Sequence, residues 1–181
     1  MTTGYLSDIT MRVTIGEEAD MIVHPIAPVF DEHSRILILG SFPSVKSREE
    51  MFFYGHPQNR FWHVLAAVFE EDVPQTIEEK KRFLLSHHIA LWDVISSCEI
   101  CGSADSSIKD VVPNDLSLIL QTADIKAIFV NGKTAEKYYR KYQRKIVGKE
   151  AICLPSTSPA NAAWTLQKLT SSWQILNDSH E

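Results

Sequence analysis

Two short stretches gather the groups able to do chemistry. The first is Gly40-Ser-Phe-Pro-Ser44 continuing to Tyr54-Gly-His-Pro-Gln-Asn-Arg-Phe-Trp62, and the second is Leu154-Pro-Ser-Thr-Ser-Pro-Ala-Asn161. Each follows an apolar run of β type and packs Gly, Pro and small polar residues where an α/β protein presents a loop to a ligand. Together they offer an imidazole (His56), side-chain amides (Asn59, Asn161) and hydroxyls (Ser44, Ser156, Thr157, Ser158), the equipment of polar recognition and proton handling. His56 can donate to a ligand, or beside Pro57 it can simply hydrogen-bond the loop backbone. Asn59 can act through its amide or cap a helix starting near Arg60. The Ser and Pro of the late stretch suit phosphate contacts and suit a plain turn equally.

Two further spacings imitate known chemistry and fall short of it. Cys98-Glu-Ile-Cys101 has the spacing of a metal or redox pair, but the chain holds three cysteines and no His-x3-5-His follows. Cys98, Cys101 and Cys153 are therefore read as free structural thiols. Asn131-Gly-Lys-Thr134 resembles the end of a phosphate-binding loop, yet the earlier glycine is missing, so it is read as a strand-to-helix turn.

The elements that must position these groups follow from periodicity. Arg35 to Leu39, running into Gly40, is a continuous apolar run of the kind buried on both faces of a parallel sheet. Residues 89–94, 125–130 and 150–154 repeat it. Helical patterns fill the gaps at 60–69, 76–87, 115–122 and 134–142, and a last helix is expected over 162–176. Strands alternating with helices predict a three-layer α/β/α sandwich around a mainly parallel sheet. The length of 181 residues suits one domain, taken as 26–181, after an N-terminal extension at 1–25. Within that extension Met11 to Ile15 and Met21 to Val23 suggest a hairpin added to the core. A mixed polar and acidic start, and the lack of any long apolar run, predict a soluble intracellular, cytoplasmic protein without a membrane partner.

Charge is unevenly distributed. The formal net is -5, yet 126–149 holds eight basic residues, Lys133 among them, against the single acid Glu136. That local excess suits a phosphate-contacting surface and suits a solvated helix face.

Taken in order, Gly-Ser-Phe-Pro-Ser, Tyr-Gly-His-Pro-x-Asn-x-Phe-Trp, Leu91-Trp-Asp93, Val130-Asn-Gly-Lys133 and Leu-Pro-Ser-Thr-Ser-Pro-Ala-Asn resemble the hypoxanthine-DNA glycosylase branch of the uracil-DNA glycosylase superfamily. The likeness covers residues 26 to 176. It implies an α/β/α fold and a monofunctional glycosylase that flips deoxyinosine out of damaged double-stranded DNA and leaves an abasic site. It also implies action as a monomer without a metal or redox cofactor. By the same resemblance Asn59 carries the essential polar role, orienting water through its carbonyl oxygen or donating from its NH2 to the base. Tyr54 matches an aromatic that stacks on the flipped base, and Asp93 sits where uracil-specific relatives read it. That carboxylate can accept the N1–H of hypoxanthine, or it can serve a structural ion pair or cap. The late loop, with Ser156, Thr157, Ser158 and Asn161, matches the segment that enters the duplex, and Asn161 is expected to begin the last helix. Ser44 and Lys133 are placed with the DNA contacts. Two positions depart from the wider superfamily: Phe42 stands where many members carry a water-positioning Asp or Asn, and Leu154 where uracil-specific ones carry His or Asn. Phe42 is accordingly placed with the residues around the base.

Overall fold

Ile36-Leu-Ile-Leu-Gly40 has no polar face to show to water, and the computed structural model, which describes residues 20–179, buries all five residues. In chain order the elements are β1 (Met21–Val23), β2 (Ile36–Gly40), α1 (Val45–Glu50), α2 (Phe61–Val68), α3 (Ile77–Ser86), β3 (Ile89–Asp93) and β4 (Ile95–Glu99). A single 3-10 turn (Asp105–Ser107) leads into β5 (Lys109–Pro113), α4 (Ser117–Thr122), β6 (Ala127–Asn131) and α5 (Lys133–Tyr142). The chain closes with α6 (Arg144–Val147), β7 (Ala151–Leu154), α7 (Leu166–Trp173) and α8 (Ile175–Asp178).

A four-stranded parallel sheet in the order β3-β2-β6-β7 forms the middle layer. Alternate side chains of a strand point to opposite faces. Ile36 and Ile38 accordingly join Leu65, Leu84, Leu169 and Trp173 on one side, where α2, α3 and α7 pack. Leu37 and Leu39 join Ile119, Ala135 and Tyr139 of α4 and α5 on the other. The register sets Gly40 opposite Asp93 and Asn131 opposite Leu154. All four strands therefore end at one edge, from which the two polar stretches leave.

A second, antiparallel sheet in the order β1-β4-β5 is added beside this sandwich. Only Val94 separates β3 from β4, so the chain turns directly from the parallel sheet into the antiparallel one. Met21 pairs with Glu99 and Val23 with Ser97. The other arm of the expected hairpin, Met11 to Ile15, lies outside the described residues.

The expected strands and inner helices are present to within two residues at each end, and Asn131-Gly-Lys-Thr134 is the strand-to-helix turn it was read as. The last helix is shorter than expected. It begins at Leu166, where the Thr165 hydroxyl accepts the Lys168 N–H, and residues 161–164 form turns instead because their carbonyls serve another partner described below. Asn161 thus does not start the helix. Among the described residues no helix is long and apolar enough to cross a membrane.

Leu65 is fully buried on the inner face of α2. Leu65→Ala is expected to destabilise the fold by about 2–5 kcal/mol, from lost transfer energy plus an unfilled cavity. The measurement is the urea midpoint at unchanged m-value.

Candidate active site

Where the parallel strands end, their loops enclose a cavity of about 960 Å³. Of the residues singled out in the sequence, Phe42, Ser44, Tyr54, His56 and Asn59 line it from the first stretch. Lys133, Ser156, Ser158 and Asn161 line it from the other side. Thr157 and Asp93 are not on its wall.

Thr157 is wholly buried, and its position explains the rest of the loop. Its N–H donates to Asn131 Oδ1 at 3.1 Å, which fixes how that amide faces, and Asn131 Nδ2 then donates to the Thr157 hydroxyl at 3.0 Å. The hydroxyl has one proton, and it goes to Asn59 Oδ1 at 3.0 Å. The same Oδ1 accepts the Phe61 N–H at 2.9 Å, so both lone pairs of the Asn59 carbonyl are engaged by protein donors. The NH2 is the half of the side chain left to act in the cavity. Asn59 thereby meets the first N–H of α2 and lines the cavity at once, although the N-cap position itself is held by Arg60.

His56 is oriented by similar logic. Its Nδ1 accepts the Gln58 N–H at 3.1 Å, so in the neutral ring the proton sits on Nε2 and makes that atom a donor.

Arg60, which carried no assignment in the sequence, holds the late loop in place. Its guanidinium donates to the carbonyls of Ser158 (2.8 Å), Asn161 (3.1 Å), Trp164 and Thr157. Those of Asn161 and Trp164 are carbonyls withheld from the last helix. Within the loop, Asn161 Nδ2 donates to the Ser156 carbonyl at 2.9 Å, and the Ser156 and Ser158 hydroxyls accept the N–H groups of Ser158 and Ala160. Gly132 lies beneath it with φ of +93°, and a Cβ there would come within 2.9 Å of Ser156 Cβ.

Tyr54 stacks on Phe61 with ring centroids 3.9 Å apart. Its backbone has φ of +54°, strained for a bulky residue, and its hydroxyl is buried with the Asn131 amide close by but outside hydrogen-bond geometry. Burial first, and the charge of Asp93 next, push the phenol well above its ordinary range. Asp93 sits behind the wall, 4% exposed, with Oδ2 accepting His24 Nε2 at 2.7 Å. His24 Nδ1 accepts the Ile26 N–H, which keeps the proton on the atom facing Asp93. Phe42 meets the His24 ring edge-on at 5.8 Å and screens this pair from the cavity.

One wall residue had no signal in the sequence. Asp105, in the 3-10 turn between β4 and β5, accepts Ser41 Oγ at 3.1 and 3.2 Å. The residue is exposed at the rim, yet crowding of its carboxyl by the cavity wall raises its pKa against the opposing hydrogen bonds.

Lys133 is tied to Glu136 at 2.9 Å within its own helix. Most of the rest of the basic run lies along α5 and α6, and a smaller hollow of about 330 Å³ among Arg140, Arg144, Lys145 and Lys149 adjoins the other end of β7. Cys98 is buried, Cys101 exposed, and Cys153 borders the cavity, all as free thiols. Burial raises the Cys98 thiol to about 11. Among the described residues no three His, Cys, Asp or Glu side chains converge as a metal site would require.

Residues 27–179 match the model of the Uracil DNA glycosylase superfamily. The chain is 36% identical over 149 residues to a hypoxanthine DNA glycosylase of Methanosarcina barkeri, covering 81% of this chain and 92% of that one. It is 35% identical over 158 residues to the hypoxanthine DNA glycosylase of Methanosarcina acetivorans, covering 86% and 98%. A candidate uracil DNA glycosylase of Methanosarcina acetivorans, solved by NMR in solution, superposes with a TM-score of 0.71 at 31% identity over 86% of this chain and 99% of that chain.

Thr157→Val keeps the shape of the buried side chain and removes the donor to Asn59. The expected result is a loss of about 1–3 kcal/mol in stability, the cost of stranding buried polar partners, read by chemical denaturation.

Proposed function

The chain belongs to the uracil DNA glycosylase superfamily, and on that footing we propose that it hydrolyses the N-glycosidic bond of deoxyinosine flipped out of double-stranded DNA. The observation that carries this reading is the Asn59 side chain: its oxygen is filled by Phe61 and Thr157, so a neutral amide NH2 is what it offers to a bound base. The two Methanosarcina relatives named for hypoxanthine supply the substrate.

Breaking such a bond builds positive charge on the sugar and negative charge on the departing purine. Donors fixed in advance, where that charge develops, lower the barrier because they need no reorganisation as it grows. Asn59 Nδ2 and His56 Nε2 are two such donors on one wall, and hypoxanthine presents only acceptors at O6, N7 and N3. Tyr54, already stacked on Phe61, offers its other face to the base, and Phe42 supplies an apolar side. Asn59, His56, Tyr54 and Phe42 thus hold and activate the base. Asp93, paired with His24, shapes the wall from behind.

The late loop supports the extruded nucleotide. Ser156, Ser158 and Lys133, with Ser44 across the cavity, contact phosphates, while Thr157 and Asn161 keep the loop's shape. Unstacking costs a few kcal/mol, and less at a mismatched pair such as inosine makes, so a pre-formed loop favours damaged sites. The protein acts as a monomer on this reading, since one chain supplies every group named.

The test is alkali-induced scission of a labelled duplex carrying one hypoxanthine, with uracil and xanthine duplexes in parallel. Wild-type protein is expected to release hypoxanthine, and Asn59→Ala to slow single-turnover release by about 100-fold or more. Release of uracil with hypoxanthine untouched would reassign the substrate, and no release by folded protein would reject the activity. A second expectation concerns Tyr54→Ala: lesion release falls about 10-fold or more while affinity for undamaged duplex stays near wild type, measured by fluorescence anisotropy. Equal loss of both would remove Tyr54 from base stacking.

A further inference from the structure

Hydrolysis of a glycosidic bond needs a group to take a proton from water, and Phe42 has none to offer. Resting on the glycosylase reading above, we propose that Asp105 is the general base: its carboxylate, on the cavity wall and aimed by Ser41, accepts the proton of the attacking water.

The assignment follows from the capacity of the titratable groups on that wall and of the Asn59 amide. Asn59 Oδ1 is filled by two donors, and His56 Nδ1 by the Gln58 N–H, which leaves both side chains as donors only. Burial raises the Tyr54 phenol and the Cys153 thiol, so neither is ionised near neutral pH. Lys133 is a cation held by Glu136. Among the described residues lining the cavity, Asp105 is the one carboxylate. A carboxylate offers about four acceptor positions, and the Ser41 hydroxyl, shared between both oxygens, leaves room for a water.

The surroundings of Asp105 set its basicity. Ser41 at the end of β2 donates to it, and the Thr134 hydroxyl on α5 lies close; both favour the ionised form. Desolvation outweighs them, and Asp93 on β3 acts in the same direction. The remaining titratable neighbours are Tyr54 on the motif loop, Cys98 on β4 and Tyr138 on α5, with Arg48 of α1 near Cys98 and His56 and Lys133 elsewhere on the wall. A carboxyl shifted up from its ordinary value is, in its ionised form, a stronger base than a free one.

The step balances simply. The water oxygen bonds to C1′ as the C1′–N9 bond breaks, and the bonding pair leaves on N9. The water proton passes to Asp105 and then to solvent, and the departing purine takes up one proton in exchange.

The experiment is the pH profile of single-turnover hypoxanthine release for wild type, Asp105→Asn and Ser41→Ala. Wild type should lose rate as pH falls and Asp105 becomes protonated. Asp105→Asn should lower the rate constant by about 10²- to 10³-fold and abolish that acid limb, with duplex affinity unchanged. Ser41→Ala removes a hydrogen bond to the ionised form, so the pKa rises and the limb moves to higher pH. Retention of both rate and limb by folded Asp105→Asn, or a limb unmoved in Ser41→Ala, overturns the assignment and leaves the glycosylase reading intact. Failure of wild type to release hypoxanthine at any pH overturns both.

Discussion

A hydroxyl has one proton to give, and the site depends on where Thr157 gives it. The direction is forced from the backbone outward. The Thr157 N–H can only donate, so Asn131 must turn its oxygen toward it, and its NH2 must then fill the Thr157 hydroxyl oxygen. The hydroxyl proton has Asn59 Oδ1 left to meet. This short chain joins the end of β6, the late loop and the first motif loop, and its central member, Thr157, is fully buried. Each bond contributes on the order of 1 kcal/mol net, but breaking one strands a buried partner at greater cost. Arg60, next in sequence to Asn59, adds a cation that collects the late loop's carbonyls. Orientation of the Asn59 amide and placement of the loop are consequently one property.

The sandwich was legible because its strands are long enough and apolar enough to allow one reading. Ile36 to Gly40 and Ala127 to Asn131 alternate between two buried clusters, and their flanking helices show ordinary periodicity. Of the antiparallel sheet only β1, Met21 to Val23, was legible, and its partners were not. β4 contains Ser96, Ser97 and Glu99 and β5 contains Lys109 and Asp110, so neither carries the apolar pattern of a buried strand; long-range pairing makes them strands. Position in the motifs brought Tyr54, His56, Asn59 and the late loop to the cavity. It could not show that Thr157 faces inward, that Arg60 serves four carbonyls, or that Asp93 has His24 as its partner, because each depends on contacts 69 or more residues apart.

Close packing at the end of β2 explains several features together. A Cβ on Gly40 would collide with Asp93 Oδ1 and approach the Tyr54 hydroxyl to 2.9 Å, so only glycine lets the carboxylate and the phenol share that space. The crowding also helps to explain why Tyr54 accepts a left-handed backbone: stacking on Phe61 and burial of its hydroxyl offset a strain of order 1–3 kcal/mol. A rigid aromatic held this way loses little freedom when a ligand stacks on it.

Phe42 follows from the same neighbourhood. Its ring lies against His24, which holds the buried Asp93 carboxylate. An acidic side chain in its place would add a second carboxylate beside the pocket that holds Asp93, and like charges brought near one another cannot both remain ionised without cost. An apolar ring avoids that conflict and shields the hydrogen-bonded His24–Asp93 pair. The role of proton acceptor then has to come from an element that approaches the cavity from another direction. The turn between β4 and β5 does so, carrying Asp105 to the rim where Ser41 can orient it. Donors thus come from the loop after β2, and the carboxylate from the sheet that the sequence hid. The cavity is polar on both sides because two sheets, not one, supply its walls.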